Sequence, residues 1–62
     1  MDVRKIYEYA LSREYEGKRF FEENAERLSH AAAVQAFKQL AAEEQKHIEF
    51  IRSQIAALEN GQ

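Results

Sequence analysis

Apolar residues recur at every third or fourth position through both halves of this 62-residue chain, and no proline interrupts them. That spacing follows one face of an α-helix, whereas no convincing period-two run typical of a β-strand is present. Residues that favour helices also dominate the composition. The first apolar stripe comprises Val3, Ile6/Tyr7, Ala10, Gly17, Phe21, Ala25 and Leu28, and the second comprises Val34, Phe37, Leu40/Ala41, Ile48, Ile51, Ile55 and Leu58.

The middle of the chain contains few strong helix breakers, so the elements should be long. We expect one helix over about residues 2–28 and a second over about residues 31–58. Ser29 is a plausible N-cap for the second helix, and Asn60-Gly61 is a typical stop. The sequence therefore predicts two helices joined by a very short connection.

The predicted fold class is all-α, with a single domain over residues 1–62 that forms an antiparallel helical hairpin. Its turn should lie at about residues 29–30. One continuous helix is the structural alternative, because Ser29 and His30 break helices only mildly. In the hairpin, His30 would be exposed or lie at a helix end.

The chain is too short to bury both stripes by itself. Below about 70–80 residues a single core rarely supplies enough stability, and the absence of cysteine excludes disulfides and cysteine zinc sites. We expect two hairpins to pair as a homodimeric four-helix bundle. Tyr9, Leu11 and Tyr15 fall outside the first stripe and suggest a second apolar surface for a higher homo-oligomer; aromatic side chains that keep their polar end in water explain these positions equally well.

The charge pattern excludes some classes of partner. The net charge is −2 at pH 7, with interleaved signs, so the chain has no basic field for nucleic acid and no lysine-rich face for a membrane surface. No apolar run approaches the roughly 18 residues that a membrane span needs. The sequence Met1-Asp2-Val3-Arg4-Lys5 leads into no apolar signal segment, and a cytoplasmic location is therefore expected.

Three polar residues occupy positions on the stripes where apolar residues are expected: Glu14, Glu44 and His47. Glu14 precedes Ser29 by 15 residues and Glu44 follows it by 15, so both should lie about 22 Å from the turn. His47 follows Glu44 by three residues and shares its face. An antiparallel second hairpin would bring four glutamates and two histidines together at the centre of the dimer.

Four buried carboxylates need compensation, and the stripes contain no lysine or arginine to provide it. Two divalent cations would neutralise them, and oxygen-rich ligation with one imidazole per metal suits iron first and manganese second. Helical di-iron bundles use this set, one Glu from each of two helices and Glu-x-x-His from each of the others. The alternative is a plain helical oligomerisation hairpin whose carboxylates stay protonated or hydrated.

Gly17 lies one turn from Glu14, and glycine costs about 0.8–1 kcal/mol inside a helix. It could permit close helix approach or leave room beside the metals, and a simply tolerated glycine is an equal alternative.

Two sequence segments resemble those of rubrerythrin-type di-iron proteins in the ferritin-like superfamily. The segment Glu14-Tyr15-Glu16-Gly17-Lys18-Arg19-Phe20-Phe21 is similar to the family's ligand Glu followed by Glu-Gly and an aromatic pair. The segment from Phe37 to His47 resembles its Phe-x-x-Leu-Ala-x-Glu-Glu-x-x-His signature. The resemblance implies Glu14 as a terminal ligand, Glu44 as a bridging carboxylate and His47 as a terminal imidazole ligand, with Glu43 outside the site.

The departures from the family pattern concern the number of hairpins and the source of electrons. Most members hold two such hairpins in one chain, whereas encapsulated ferritins resemble this chain in building their iron site at a dimer interface. No cysteine-rich electron-delivery module is present, so peroxide reduction would need an external electron donor. Phe21 stands where the family often has tyrosine, and Tyr7 is a weak substitute.

The resemblance implies a di-iron protein with ferroxidase-type activity, which oxidises Fe(II) with O2 or peroxide and holds two irons per dimer. Glu14, Glu44 and His47 would act in catalysis through the metals. An encapsulating protein shell is a further expected partner. A non-catalytic iron-binding or cargo module is the alternative function.

Overall fold

The computed structural model describes residues 2–61, in which two helices form an antiparallel hairpin. Helix α1 spans Val3–Arg27 and helix α2 spans Ala31–Glu59. The predicted hairpin is therefore confirmed, and the alternative of one continuous helix is wrong. Met1 and Gln62, which the predicted domain over residues 1–62 includes, lie outside the described residues.

The connection between the helices consists of three residues, Leu28 to His30. Leu28 adopts an extended conformation while its N–H still donates to the carbonyl of Asn24. His30 is the N-cap of α2, and its Nδ1 accepts a hydrogen bond of 3.2 Å from the N–H of Ala33. The prediction that Ser29 caps this helix is wrong, because the imidazole nitrogen of the next residue occupies the capping position.

The outer ends of the helices are closed by short-range contacts. Asp2 caps α1 by accepting a hydrogen bond from the N–H of Lys5, and α2 ends as predicted at Asn60-Gly61, where Gly61 has a φ of 75°. Arg4 forms an ion pair of 2.7 Å with Glu59 across the two helices. This contact holds the first turn of α1 against the last turn of α2.

The core of the hairpin is a narrow seam between the helices. Within residues 2–61 the buried apolar side chains are those of Ala25, Ala41 and Ile48, and only Ile48 is fully inaccessible. Near the turn, the rings of Phe21 and Phe37 pack edge to face with centroids 5.8 Å apart. The hairpin therefore has one thin apolar layer, and much of both stripes stays open to one side.

No helix in the described part of the chain has both the length and the apolar character that crossing a bilayer requires.

Candidate metal centre

Three ligand-type side chains meet halfway along the hairpin. Glu14 comes from α1, and Glu44 and His47 come from successive turns of α2. His47 Nδ1 lies 3.2 Å from Glu14 Oε2 and 3.5 Å from Glu44 Oε1. One ligand atom from each of the three residues lies within 4.8 Å of the others. The structure thus brings together all three residues that the sequence singled out as ligands.

The positions of these side chains follow from the turn and from helical periodicity. Because the turn is short, residues equally distant from it along the two helices lie side by side, which places Glu14 opposite Glu44. The spacing of three residues then places His47 on the same face of α2 as Glu44.

We call this side of the hairpin the ligand face. Besides Glu14, Glu44 and His47, helical spacing assigns to it Val3, Ile6, Ala10, Gly17 and Phe21 of α1 and Phe37, Leu40, Ile51 and Leu58 of α2.

The three candidate ligands are accessible to different degrees. The side chain of Glu44 is 19% exposed, that of Glu14 is 27% exposed and that of His47 is 54% exposed. The two carboxylates are therefore partly buried between the helices, and the imidazole is exposed to solvent on the ligand face. This arrangement leaves room on the ligand face for a metal ion and for ligands from outside the hairpin.

Gly17 creates the space that the Glu44 carboxylate occupies. A Cβ atom added at Gly17 would lie 2.5 Å from Glu44 Oε2 and 3.3 Å from its Cδ. Since carbon and oxygen atoms do not approach that closely without a bond, the carboxylate and a side chain at position 17 exclude each other. The donor set and this cradle both fit a cation held by Glu14, Glu44 and His47.

The electrostatics of the cluster centre on the pair of carboxyl groups. The pKa of Glu44 is raised from its ordinary value of 4.5, first because its protonated form hydrogen-bonds with Glu14, then because of partial burial and repulsion from the Glu14 charge. His47 acts in the opposite direction. Two carboxylates with ligand atoms within 4.8 Å of each other repel unless a proton or a cation lies between them, and a divalent cation compensates their charge more strongly than a proton.

Lysine does not supply that compensation. Lys18, outside the stripes, is half-buried at the seam, but its ammonium donates a 2.7 Å hydrogen bond to Gln45 Oε1. Gln45 Nε2 in turn donates to Glu49 Oε2 over 2.9 Å. Among the residues the structure describes, the basic side chain within 3.5 Å of both site carboxylates is that of His47.

Other residues considered from the sequence lie outside the cluster. His30 caps α2 at the turn, and Glu43 is exposed and forms a 3.2 Å ion pair with Lys46. Phe21 packs in the aromatic cluster near the turn, and Tyr7 is half-buried on α1. The sequence leaves the role of Gly17 open, and its signals are a glycine in a helix interior three residues after Glu14 and the Glu-Gly pair of the family resemblance.

The family model of rubrerythrin matches residues 2–62, which is nearly the whole chain. The chain belongs to the rubrerythrin family. No curated protein and no solved structure matches it significantly. Rubrerythrin-family proteins generally bind iron, and the Glu14, Glu44 and His47 cluster of this member has the ligand chemistry for such a metal.

Proposed function

We propose that this rubrerythrin-family chain forms a homodimer with a shared di-iron centre, and that it oxidises Fe(II) with O2 or peroxide. The observation that carries the proposal is the convergence of Glu14, Glu44 and His47 on one open face of the hairpin, with Gly17 leaving room for Glu44. Family membership supports iron as the metal.

The amount of exposed surface supports a partner on the ligand face. The hairpin exposes 4844 Å², whereas a compact monomer of 7.3 kDa exposes about 4,200 Å². Val3, Ile6, Leu40 and Leu58 on the ligand face are exposed although they are large and apolar. A second hairpin over this face would bury these side chains and exclude water from the carboxylates.

A two-fold axis near the cluster would make the centre symmetric. Glu14 lies near the middle of α1 and Glu44 near the middle of α2, so an antiparallel copy would place its own three ligands opposite. The pair of hairpins would then supply four glutamates and two histidines. Two divalent ions balance the four carboxylate charges, and this oxygen-rich set suits iron, with manganese as second choice.

Each side chain has a defined part in the proposed chemistry. Glu14 and Glu44 would hold the cations and compensate their charge, and a cation beside Glu44 would replace the hydrogen bond with Glu14 that raises its pKa in the metal-free protein. His47 presents Nδ1 toward both carboxylates. Bound Fe(II) would supply one electron per ion, and the two electrons of a pair, with two protons from solvent, would reduce O2 to hydrogen peroxide or hydrogen peroxide to two water molecules.

Repeated peroxide reduction requires that electrons return to the irons. The 62 residues contain no cysteine, so they provide no cysteine-ligated electron carrier. We therefore propose an external electron donor for the reductive half of the cycle. An encapsulating protein shell is a second proposed partner. The proposed location of the protein is the cytoplasm, where such a shell would enclose it.

Anaerobic titration with Fe(II), followed by addition of O2, tests this function. We expect two irons per dimer, measured with a solution mass, and rapid appearance of ferric absorbance. Glu44→Ala should abolish paired binding, and Glu43→Ala is the matched control because it removes an exposed carboxylate from the neighbouring position. Unaltered binding by Glu44→Ala would overturn the assignment of the site.

The same titration separates the alternative functions. Saturable binding with slow oxidation would indicate a non-catalytic iron-binding module and would refute the ferroxidase activity. No saturable binding would leave a helical oligomerisation hairpin and would refute both functions that involve iron.

A further inference from the structure

Gly17 is the one position in the interior of α1 that has no side chain, and it faces Glu44 across the seam. A Cβ atom at this position would meet Glu44 Oε2 at 2.5 Å, Cδ at 3.3 Å and Cγ at 3.8 Å. The added Cβ would therefore lie closest to the carboxylate at the end of the Glu44 side chain and farther from its Cγ. A methyl group at position 17 would act mainly on the carboxylate.

The carboxylate of Glu44 is held between two neighbours. Oε2 lies over Gly17, and Oε1 lies 3.5 Å from His47 Nδ1. Added volume at position 17 therefore pushes the carboxylate away from the backbone of α1 and toward the open face. This displacement changes its position relative to both Glu14 and His47.

The displaced atoms belong to the free end of a flexible side chain, which can move by rotation about its own bonds. The helices do not have to separate, because no backbone or buried apolar atom blocks a Cβ at position 17. Alanine also favours helix formation more than glycine does. Gly17→Ala should thus fold normally while its carboxylate at position 44 is misplaced.

We propose that Gly17 is a positioning residue for the metal centre, because the missing side chain lets the Glu44 carboxylate lie against α1 beside Glu14. The proposal rests on the proposed function for the identity of the bound group. It goes further in assigning a residue that donates no ligand atom. An interior glycine makes α1 less stable, and in this proposal the geometry of the metal site is the reason that a glycine occupies position 17.

Titration with Co(II) alone, followed by visible absorption, tests the effect on the centre. We expect Gly17→Ala to weaken Co(II) binding by about 10- to 100-fold and to change the Co(II) spectrum. Ser12→Ala is the control, because Ser12 is an exposed position of the same helix. Wild-type affinity together with a wild-type spectrum in Gly17→Ala would overturn the proposal.

Urea unfolding of the metal-free protein, at fixed protein concentration, tests the contact independently of metal. Gly17→Ala should raise the unfolding midpoint more when residue 44 is alanine than when it is glutamate. The pair Ser12→Gly and Ser12→Ala gives the intrinsic difference between glycine and alanine in α1. Equal shifts in the two backgrounds would show that Gly17 and Glu44 do not compete for space, and would overturn the proposal.

The two measurements also distinguish this proposal from the proposed function. If the wild-type protein shows no saturable Co(II) or Fe(II) binding, the di-iron function fails. The unfolding cycle would still decide whether Gly17 fixes the position of Glu44.

Discussion

Truncation of Leu40 should weaken the proposed dimer. Leu40 lies on the ligand face and is 41% exposed in the single hairpin. Complete burial of a leucine side chain is worth about 1.5–3 kcal/mol, so covering this exposed share contributes about 0.6–1.2 kcal/mol per copy. Because a two-fold dimer contains the residue twice, Leu40→Ala should cost about 1.2–2.5 kcal/mol, or roughly a 7- to 60-fold increase in the dimer dissociation constant.

Sedimentation equilibrium over a range of protein concentrations measures that constant. Phe50→Ala is the matched control, since Phe50 is larger and more exposed, at 63%, but points away from α1 on the outer side of α2. We expect Phe50→Ala to leave the dissociation constant unchanged. The reasoning is refuted if the two truncations weaken association equally, or if Leu40→Ala has no effect.

Three further predictions concern the hairpin itself. Metal-free protein should lose stability as the pH rises above 4.5, because the folded-state pKa of Glu44 is raised by hydrogen bonding with Glu14. The Glu44 carboxyl contributes fully to the free energy of unfolding below pH 4.5, and this contribution is lost as the pH rises through the folded-state pKa. Urea unfolding at a series of pH values measures the loss. Ile48→Ala should lower the free energy of unfolding by about 2–5 kcal/mol in urea, because Ile48 is fully buried. His30→Asp should raise it by about 0.5–1 kcal/mol in thermal unfolding, because aspartate is a preferred N-cap and is favoured by the helix dipole.

Each of these predictions has a result that would contradict it. The same pH dependence in Glu44→Gln, which cannot ionise, would assign the effect to other groups. A loss below about 1 kcal/mol for Ile48→Ala would mean that the seam closes around the missing side chain. If His30→Asp and His30→Ala are equally stable, the side chain at position 30 does not cap α2.

The hairpin and the cluster could be predicted because both depend on local periodicity. The stripes give the helix faces, and counting from the turn gives the levels of Glu14 and Glu44. These quantities depend on the fixed rise and rotation of an α-helix, which vary little between proteins. The proximity of Glu14, Glu44 and His47 could therefore be predicted from the sequence without any information on tertiary contacts.

Details set by side-chain geometry could not be predicted in the same way. Serine is preferred over histidine as an N-cap, but α2 begins at Ala31, so that His30 and not Ser29 occupies the capping position. Lys18 lies off the stripes, yet its aliphatic stem allows half-burial while its ammonium reaches Gln45. The role of Gly17 depends on the position of the Glu44 carboxylate, and a sequence pattern does not give the position of side-chain atoms.

The three-residue connection at Leu28 to His30 also constrains how the chain can change length. One residue inserted between Glu14 and the turn would shift that carboxylate by about 1.5 Å and rotate it by about 100° away from its neighbours. Seven residues make almost two full turns, so an insertion of seven in each helix would restore both the level and the face. Hairpins of this kind can therefore lengthen between the cluster and the turn only by matched insertions close to a whole number of helical turns, such as seven or eleven residues in each helix, while residues added beyond the cluster are free of that restriction.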